Sequence, residues 1–547
     1  MNNIRRKVTV IISKPFSNWW LAFLCIGVAT FLSVWGGQDA NWDLRNYHYY
    51  NPYAWVNGRA AIDIAPAQLQ SFHSPFADLP YYYMAKAGFP SWLASAVLSL
   101  PAALALFFLT RMYRIVLPQE QQNIYLIAVV LLAATGASGG PLVGTTMSEW
   151  HLIALFICAI WFILPSFVNQ NEPALAGPKL GNVIAAGFLG GLAVGLKLTA
   201  ATYAIGLAVL VTMLPANFFE RCKRLIALGC GGIIGAAIAY GPWGYELWIR
   251  FGNPFFPYFN NIFLSPWAEA SNIADKRFIA DSFWKLLTIP WLIMKETSGF
   301  VSEMSFRDWR LGLGIPALVW LVWRSPTSKT RRIWLALLLM SLTIYAVWAI
   351  LFGYYRYVSL LEVISALAIV SVIANHSRLA RKKRISSIWL LIVVITVMGV
   401  TKWPQWERVN HGEMAVSVKI KSPPKNSIVI IASLEPLAFI VPQLPPEVPV
   451  ISVINNFMNP AWGAAYKLQE SAMQRVAEHG GPFFALVNLS NKNERYYLNI
   501  RIADMLLSYG LEVDFNKCNS IAGALSNGSL GICSVNRVPV VPINWNH

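Results

Sequence analysis

Between residues 38 and 53 the chain reads Gln38-Asp39-Ala40-Asn41-Trp42-Asp43-Leu44-Arg45-Asn46-Tyr47-His48-Tyr49-Tyr50-Asn51-Pro52-Tyr53. Asp39 and Asp43 lie four residues apart, so a helical turn would put them on one face. Arg45 and His48 follow within reach of a bound phosphate or carboxylate. A carboxylate set among aromatic rings at a water–lipid boundary suits general-base work, taking the proton of a hydroxyl as its oxygen attacks. The competing reading is an interfacial aromatic belt with solvated charges. The stretch continues through Pro66, Gln68, Gln70, His73, Pro75 and Asp78. His48 and His73 read as hydrogen-bonded loop histidines in preference to ligands.

Three other positions carry charge where charge is costly. Gly144-Thr145-Thr146-Met147-Ser148-Glu149-Trp150-His151 opens an apolar run. Glu149 there is either a second active-site carboxylate or a residue favoured by the positive end of a helix capped by Ser or Thr. Lys197, in Gly195-Leu196-Lys197-Leu198-Thr199, falls between two apolar runs. An ionisable group at membrane depth points to function, with snorkelling to the interface as the alternative. Arg356, in Tyr354-Tyr355-Arg356-Tyr357, is placed to grip an anionic headgroup bidentately, or to pair with Glu362 one to two turns on. Gly252-Asn253-Pro254-Phe255-Phe256-Pro257-Tyr258-Phe259-Asn260-Asn261 reads as a rigid aromatic turn that shapes a substrate or anchors at the membrane surface.

The elements that must position these residues follow from composition. Of 547 residues, 56% are apolar and 13% charged, against roughly 25% charged in a soluble domain. So few charges cannot cover a soluble protein of this size, and 23 Trp, 29 Phe and 21 Tyr exclude a disordered chain. Apolar runs near 18–37, 90–110, 122–139, 148–166, 181–197, 199–215, 225–247, 309–323, 333–353, 357–374 and 386–403 are candidate membrane spans. The sequence therefore predicts an α-helical polytopic membrane protein with about 11 spans.

The net charge of +17 has a location. From 405 onward 11 basic residues meet 10 acidic ones, which leaves 32 basic against 16 acidic in 1–404. A nucleic-acid partner would require a basic face on a soluble module, and none is expected. Alternating from an inside N-terminus, one set of connecting segments holds Arg5, Arg6, Lys7, Lys14, Arg111, Arg114, Lys179, Arg221, Lys223, Arg224, Arg324, Lys329, Arg331, Arg332, Arg378 and Arg381 to Arg384, with Glu120, Glu172 and Glu220 as their acidic residues. The positive-inside rule then puts the N-terminus in the cytoplasm and the region after 404 outside. The inside segments are too short for a cytosolic nucleotide-binding domain, and no GxxxxGK[ST] stretch occurs. Chemistry belongs to the outer face.

The expected organisation is a membrane domain over 1–404, with outer loops 38–89 and 248–308, and an outer domain over 405–547. Ser427 to Ile431 and Phe483 to Val487 read as buried strands, Lys467 to Glu478 and Tyr497 to Ser508 as helices. The C-terminal part is thus expected to be a small α/β domain. Cys25, Cys158, Cys222 and Cys230 read as small apolar residues. Cys518 and Cys533, in the outer domain, are expected to form a disulfide. No CxxC or HxxxH pattern supports a zinc site.

The strings WDLRNYHYYNPYA, GLKLT, GNPFFPYFN and YRY-x4-LE, with Asp43-x-x-x-Tyr47-His48 just past the first span, resemble the GT-C superfamily of integral membrane glycosyltransferases. The resemblance covers roughly 1–404. It implies an inverting enzyme of the bacterial inner membrane that takes a hexosyl or pentosyl group from a polyprenyl-phosphate donor. The acceptor would be a hydroxyl on a glycan, lipid or protein at the periplasmic face. Asp43 matches the catalytic first-loop aspartate by place and Glu149 the second-loop acidic position. Arg45, Tyr47, His48, Lys197, Arg356 and Tyr357 would bind substrate, Lys197 and Arg356 on the donor phosphate. Leu44 stands where a Glu often follows the aspartate, so no paired acidic motif marks a metal and no cofactor is expected; basic side chains alone suit a monophosphate leaving group. Other readings are a secondary transporter or flippase of lipid-linked glycans, and a glycan polymerase or ligase. Transporters tend to carry internal repeats and broken mid-membrane helices, whereas here the polar residues gather at one face.

Overall fold

Each apolar run coincides with a helix: Asn18–Trp35, Ser91–Val116, Asn123–Ala134, Glu149–Phe167, Leu180–Leu196, Leu198–Thr212, Phe218–Phe251, Arg310–Arg324, Ser328–Leu351, Tyr355–His376 and Ile385–Val400. Six of them (Asn18–Trp35, Ser91–Val116, Glu149–Phe167, Phe218–Phe251, Ser328–Leu351 and Tyr355–His376) are long and apolar enough to cross a membrane. The computed structural model describes the chain apart from 1–15, 118–121, 169–178, 272, 274, 296–298, 381–382, 434, 454–457, 459–465, 490–501, 524, 526–527 and 542–547, and the side chains of 377–380 and 383–384. Arg5, Arg6, Lys7, Lys14, Glu120, Glu172, the side chains of Arg378 and Arg381 to Arg384, and the first part of the 497–508 helix lie outside the described residues.

Two compact units divide the chain: one over 1–36, 95–241 and 275–405, the other over 37–94, 242–274 and 406–547. In the first, the outer surface is apolar. Of the helix Asn18–Trp35 only Leu21, Cys25, Ala29 and Ser33 are buried, a stripe at four-residue spacing, while Trp19, Trp20, Phe23, Phe31 and Trp35 are exposed. Water would not tolerate that face; lipid does. The protein is a multi-pass membrane protein.

Small residues set one contact that matters for the site. A Cβ on Gly187 or Gly191 would strike the backbone of Leu228 or Gly232, and one on Gly195 would meet Ala239. The helix Leu180–Leu196 thus lies backbone to backbone against the 218–251 helix, as small residues permit inside membranes. The helix ends where Lys197 turns extended (φ −152°, ψ 115°).

The second unit is built on a mixed six-stranded sheet. Its strands are β3 (Val418–Lys419), β4 (Ile428–Ile431), β5 (Val450–Ser452), β6 (Phe483–Asn488), β7 (Leu511–Gly523) and β8 (Leu530–Arg537), in the order β3-β7-β8-β6-β4-β5. Buried Ile and Val fill β4 and β5, and β4 runs parallel to both β5 and β6. The helix Lys467–Glu478 lies between β5 and β6 in sequence. Cys518 and Cys533 are register partners on β7 and β8 and are disulfide-bonded.

The segment after the first span packs in this unit, where a division at 404 would assign it to the membrane part. β1 (Gln38–Asp39) pairs antiparallel with β2 (Arg408–Val409). Ile64 forms a parallel bridge with Ile451 on β5, its N–H donating to Val450 O at 2.9 Å. Below that edge a buried pair locks the loop: Arg59 donates to both Asp63 oxygens, 2.9 and 2.6 Å, and to Val448 O at 2.7 Å.

Candidate functional site

In the first unit, Glu149, Lys197, Arg356 and Tyr357 come together. Glu149 begins the helix Glu149–Ile163 and is 3% exposed. Ser148 makes no side-chain capping bond there; the Glu149 Oε1 instead accepts from Lys197 Nζ at 2.5 Å. The ammonium also sits 5.0 Å from the centre of the Tyr357 ring. A carboxylate buried this completely requires a cationic partner, and the extended backbone at 197 delivers one.

Arg356 lies on the short 3-10 turn Tyr355–Val358. Its Nη1 reaches Met147 Sδ at 3.6 Å and its guanidinium lies 5.3 Å from the Tyr357 ring centre. The charge of Arg356 acts on the Glu149 carboxylate along with that of Lys197. Backbone bonds hold the turn: Ser359 Oγ donates to Arg356 O at 2.5 Å, Tyr203 OH to Tyr357 O at 2.8 Å, and Trp348 Nε1 to Tyr354 O at 2.6 Å. Tyr354 OH in turn donates to Asp275 at 2.5 Å, and Arg277 pairs with Asp275 at 2.7 Å and Glu303 at 2.9 Å.

Glu362 does not serve as the partner of Arg356. Its carboxylate accepts from the Ser138 and Gly139 N–H groups at 2.8 and 3.0 Å. Beside it, Arg310 and Asp308 form a fully buried pair at 2.7 Å, with Arg310 also donating to Leu132 O, Thr135 and Thr401. Sequence reading missed this pair. The signal was present, because Arg310 stands at the head of an apolar run. Ser138 Oγ bonds Ser359 Oγ at 2.5 Å, so the network supports the turn that carries Arg356.

In the second unit, Asp43 immediately precedes a π-helical turn, Leu44–His48, a distortion frequent at functional sites. Asp43 is half-buried. Asp39 is not on the same helical face: it is a strand residue on β1, and its carboxylate accepts from the Asn41 side chain at 2.5 Å. Arg45 pairs with Glu407, and with Glu435 at 3.4 Å, so in this structure its charge is committed to carboxylates. His48 is buried, with Nδ1 2.7 Å from Asp78 Oδ1. Burial alone would lower its pKa, but the charge and hydrogen bond of Asp78, helped by Asp43 and Asp39, raise it above 6.5. The Tyr47 ring lies tilted against His48, 4.1 Å between ring centres, and meets His73 edge-on at 5.2 Å. His73 Nε2 lies 2.9 Å from Tyr258 OH, and Phe72 packs edge-on against Phe256 at 4.8 Å. The aromatic turn at 252–261 is thereby packed against the 38–89 loop.

These observations define a class: a polytopic membrane protein with buried and half-buried charges gathered at helix ends in one unit, and a second unit built on a mixed sheet. No protein family and no curated protein matches the sequence. Solved structures do. ArnT from Cupriavidus metallidurans bound to undecaprenyl phosphate is similar with a TM-score of 0.51 and 14% identity, over 95% of this chain and 98% of that one. Its apo state gives 0.53 and 13%, over 94% and 97%. The chain has the GT-C fold.

Proposed function

We propose that the protein is a membrane glycosyltransferase that moves a sugar from a polyprenyl-phosphate donor to an acceptor hydroxyl, with inversion. The observation that carries this reading is the convergence of Lys197, Arg356 and Tyr357 on Glu149 within the GT-C fold. Two cations against one carboxylate leave a net positive charge suited to a phosphate. The similar ArnT structure holds undecaprenyl phosphate, and a donor of that kind would reach the site from the lipid.

The acceptor oxygen attacks the anomeric carbon, and the bond from that carbon to the phosphate oxygen breaks. Asp43 takes the acceptor's proton. The lipid phosphate departs carrying the bonding electrons, and Lys197 and Arg356 stabilise the charge that develops on it. Glu149 holds the Lys197 ammonium in place, which makes it a positioning group. Tyr47 and His48, the latter held by Asp78, would bind substrate. The distribution of basic residues supports an inner-membrane protein with a cytoplasmic N-terminus and the sheet-containing unit in the periplasm.

Mass spectrometry of lipid-linked and envelope glycans from cells with and without the protein tests this. Loss of one sugar from a product, with accumulation of its polyprenyl-phosphate form, is expected. Unchanged glycans, or unmodified glycolipid stranded on the cytoplasmic face, would overturn it, the latter in favour of a flippase.

A further inference from the structure

The helices of the first unit have a second charged end. The helix Ala201–Thr212 starts beside Lys197 and runs away from it, and Ser328–Leu351 runs the opposite way towards the Arg356 turn. The two pack together: a Cβ on Gly206 would meet Ile344. A helix of 24 residues is about 36 Å long, enough to cross a bilayer, so its first residues and Arg356 belong to opposite faces of the membrane.

At that far face lies a concavity of about 440 Å³ lined by Thr212, Met213, Pro215, Ala216, Arg221 and Arg332. Two helices begin here, Phe218–Phe251 and Ser328–Leu351, and each brings an arginine in its first turns. The positive ends of the two helices add to the arginine charge, while Asn217 and Thr327 cap the Glu220 and Thr330 N–H groups. The wall is fixed from behind, because the buried Arg224 donates to Pro215 O at 3.1 Å. The nearby carboxylate, Glu220, is partnered by Lys223 at 3.8 Å. Phe218, Phe219 and Trp323 stand exposed at 75, 81 and 71% on this end of the unit, as residues that sit among headgroups do.

We propose that this pocket binds the headgroup phosphate of an anionic phospholipid of the leaflet opposite the sugar-transfer site. A diester phosphate enters between Arg221 and Arg332 while its acyl chains lie along the exposed Phe218 and Phe219. Basic pockets between helices on the cytoplasmic side take such headgroups generally. The aromatic residues beside the pocket favour a lipid over a free anion.

Native mass spectrometry of the full-length protein, titrated with cardiolipin and separately with phosphatidylcholine, tests the assignment. The first cardiolipin should bind saturably and in preference to phosphatidylcholine. In Arg221→Ala/Arg332→Ala its affinity should fall at least about tenfold, since each basic residue near a charged headgroup contributes about fivefold. The control Lys517→Ala, altering an exposed lysine of the sheet-containing unit, should leave it unchanged. Should the double variant fail to fold, Arg221→Gln and Arg332→Gln carry the test singly, each with about a fivefold loss. Equal cardiolipin affinity in wild type and folded variants would overturn the proposal. So would displacement of cardiolipin by millimolar inorganic phosphate, which would reassign the pocket to a soluble anion.

Discussion

Lys197 and Glu149, 48 residues apart in sequence, meet at 2.5 Å, with the carboxylate buried and the ammonium partly exposed. The pair is asymmetric: the carboxylate depends on the lysine, while the lysine retains access to a further anion. Lys197→Ala should therefore lower the thermal midpoint in detergent, by roughly 3 kcal/mol of stability, because it strands a buried charge. Lys197→Met/Glu149→Gln should restore most of the midpoint and none of the turnover. Recovery of turnover in the double variant would remove Lys197 from the chemistry.

Asp43 and Arg356 should fail differently. Asp43→Asn keeps the shape but cannot accept a proton, so turnover should fall ~10²–10⁴-fold with donor binding intact. Arg356→Ala should weaken binding of a polyprenyl-phosphate sugar as well as rate, because the phosphate is charged throughout the reaction. A binding assay with the lipid-phosphate sugar separates the two. Near-normal turnover of well-folded Asp43→Asn would move the general base elsewhere.

What the sequence disclosed was local. Eleven apolar runs, the strands at 427–431 and 483–487 and the helix from Lys467 all depend on residue type within a short window. What it withheld was partnership at a distance. Nothing in the spacing tells that Arg45 meets Glu407, 362 residues on, or that Asp39 is a strand residue and not one face of a helix with Asp43. Lys197 and Arg356 stood out because charge is costly at membrane depth. Arg310 and Asp308 obey the same rule but satisfy each other, a difference visible only in three dimensions.

The His48–Asp78 pair carries a pH signature. The folded pKa of His48 is raised above its ordinary 6.5, so the folded state favours the imidazolium. Its stabilising contribution is present in full below about pH 6.5 and is lost as pH rises through the higher folded value. Thermal midpoints measured across that range should decline for the wild type. Asp78→Asn should flatten the decline, and a slope unchanged by that substitution would assign the titration to another group.

Arg59 and Asp63 tie the 38–89 loop to the sheet. Arg59 is 1% exposed and donates to Asp63, Pro446 O and Val448 O, while Asp63 also accepts from Val450 N–H and Tyr50 OH at 2.9 Å each. Removing the guanidinium leaves a buried carboxylate and two carbonyls without their partner, a loss of about 3–5 kcal/mol. The loop that carries Asp43 continues through this pair, so the damage should spread along it. Arg59→Ala should make the 38–89 segment sensitive to limited proteolysis at a temperature where the wild type resists. Arg59→Lys should be intermediate, since one ammonium cannot reproduce the forked geometry on Asp63 and the carbonyls. If Arg59→Ala resists cleavage as the wild type does, the edge pairing of Ile64 with Ile451 suffices to hold the loop, and the ion pair is dispensable.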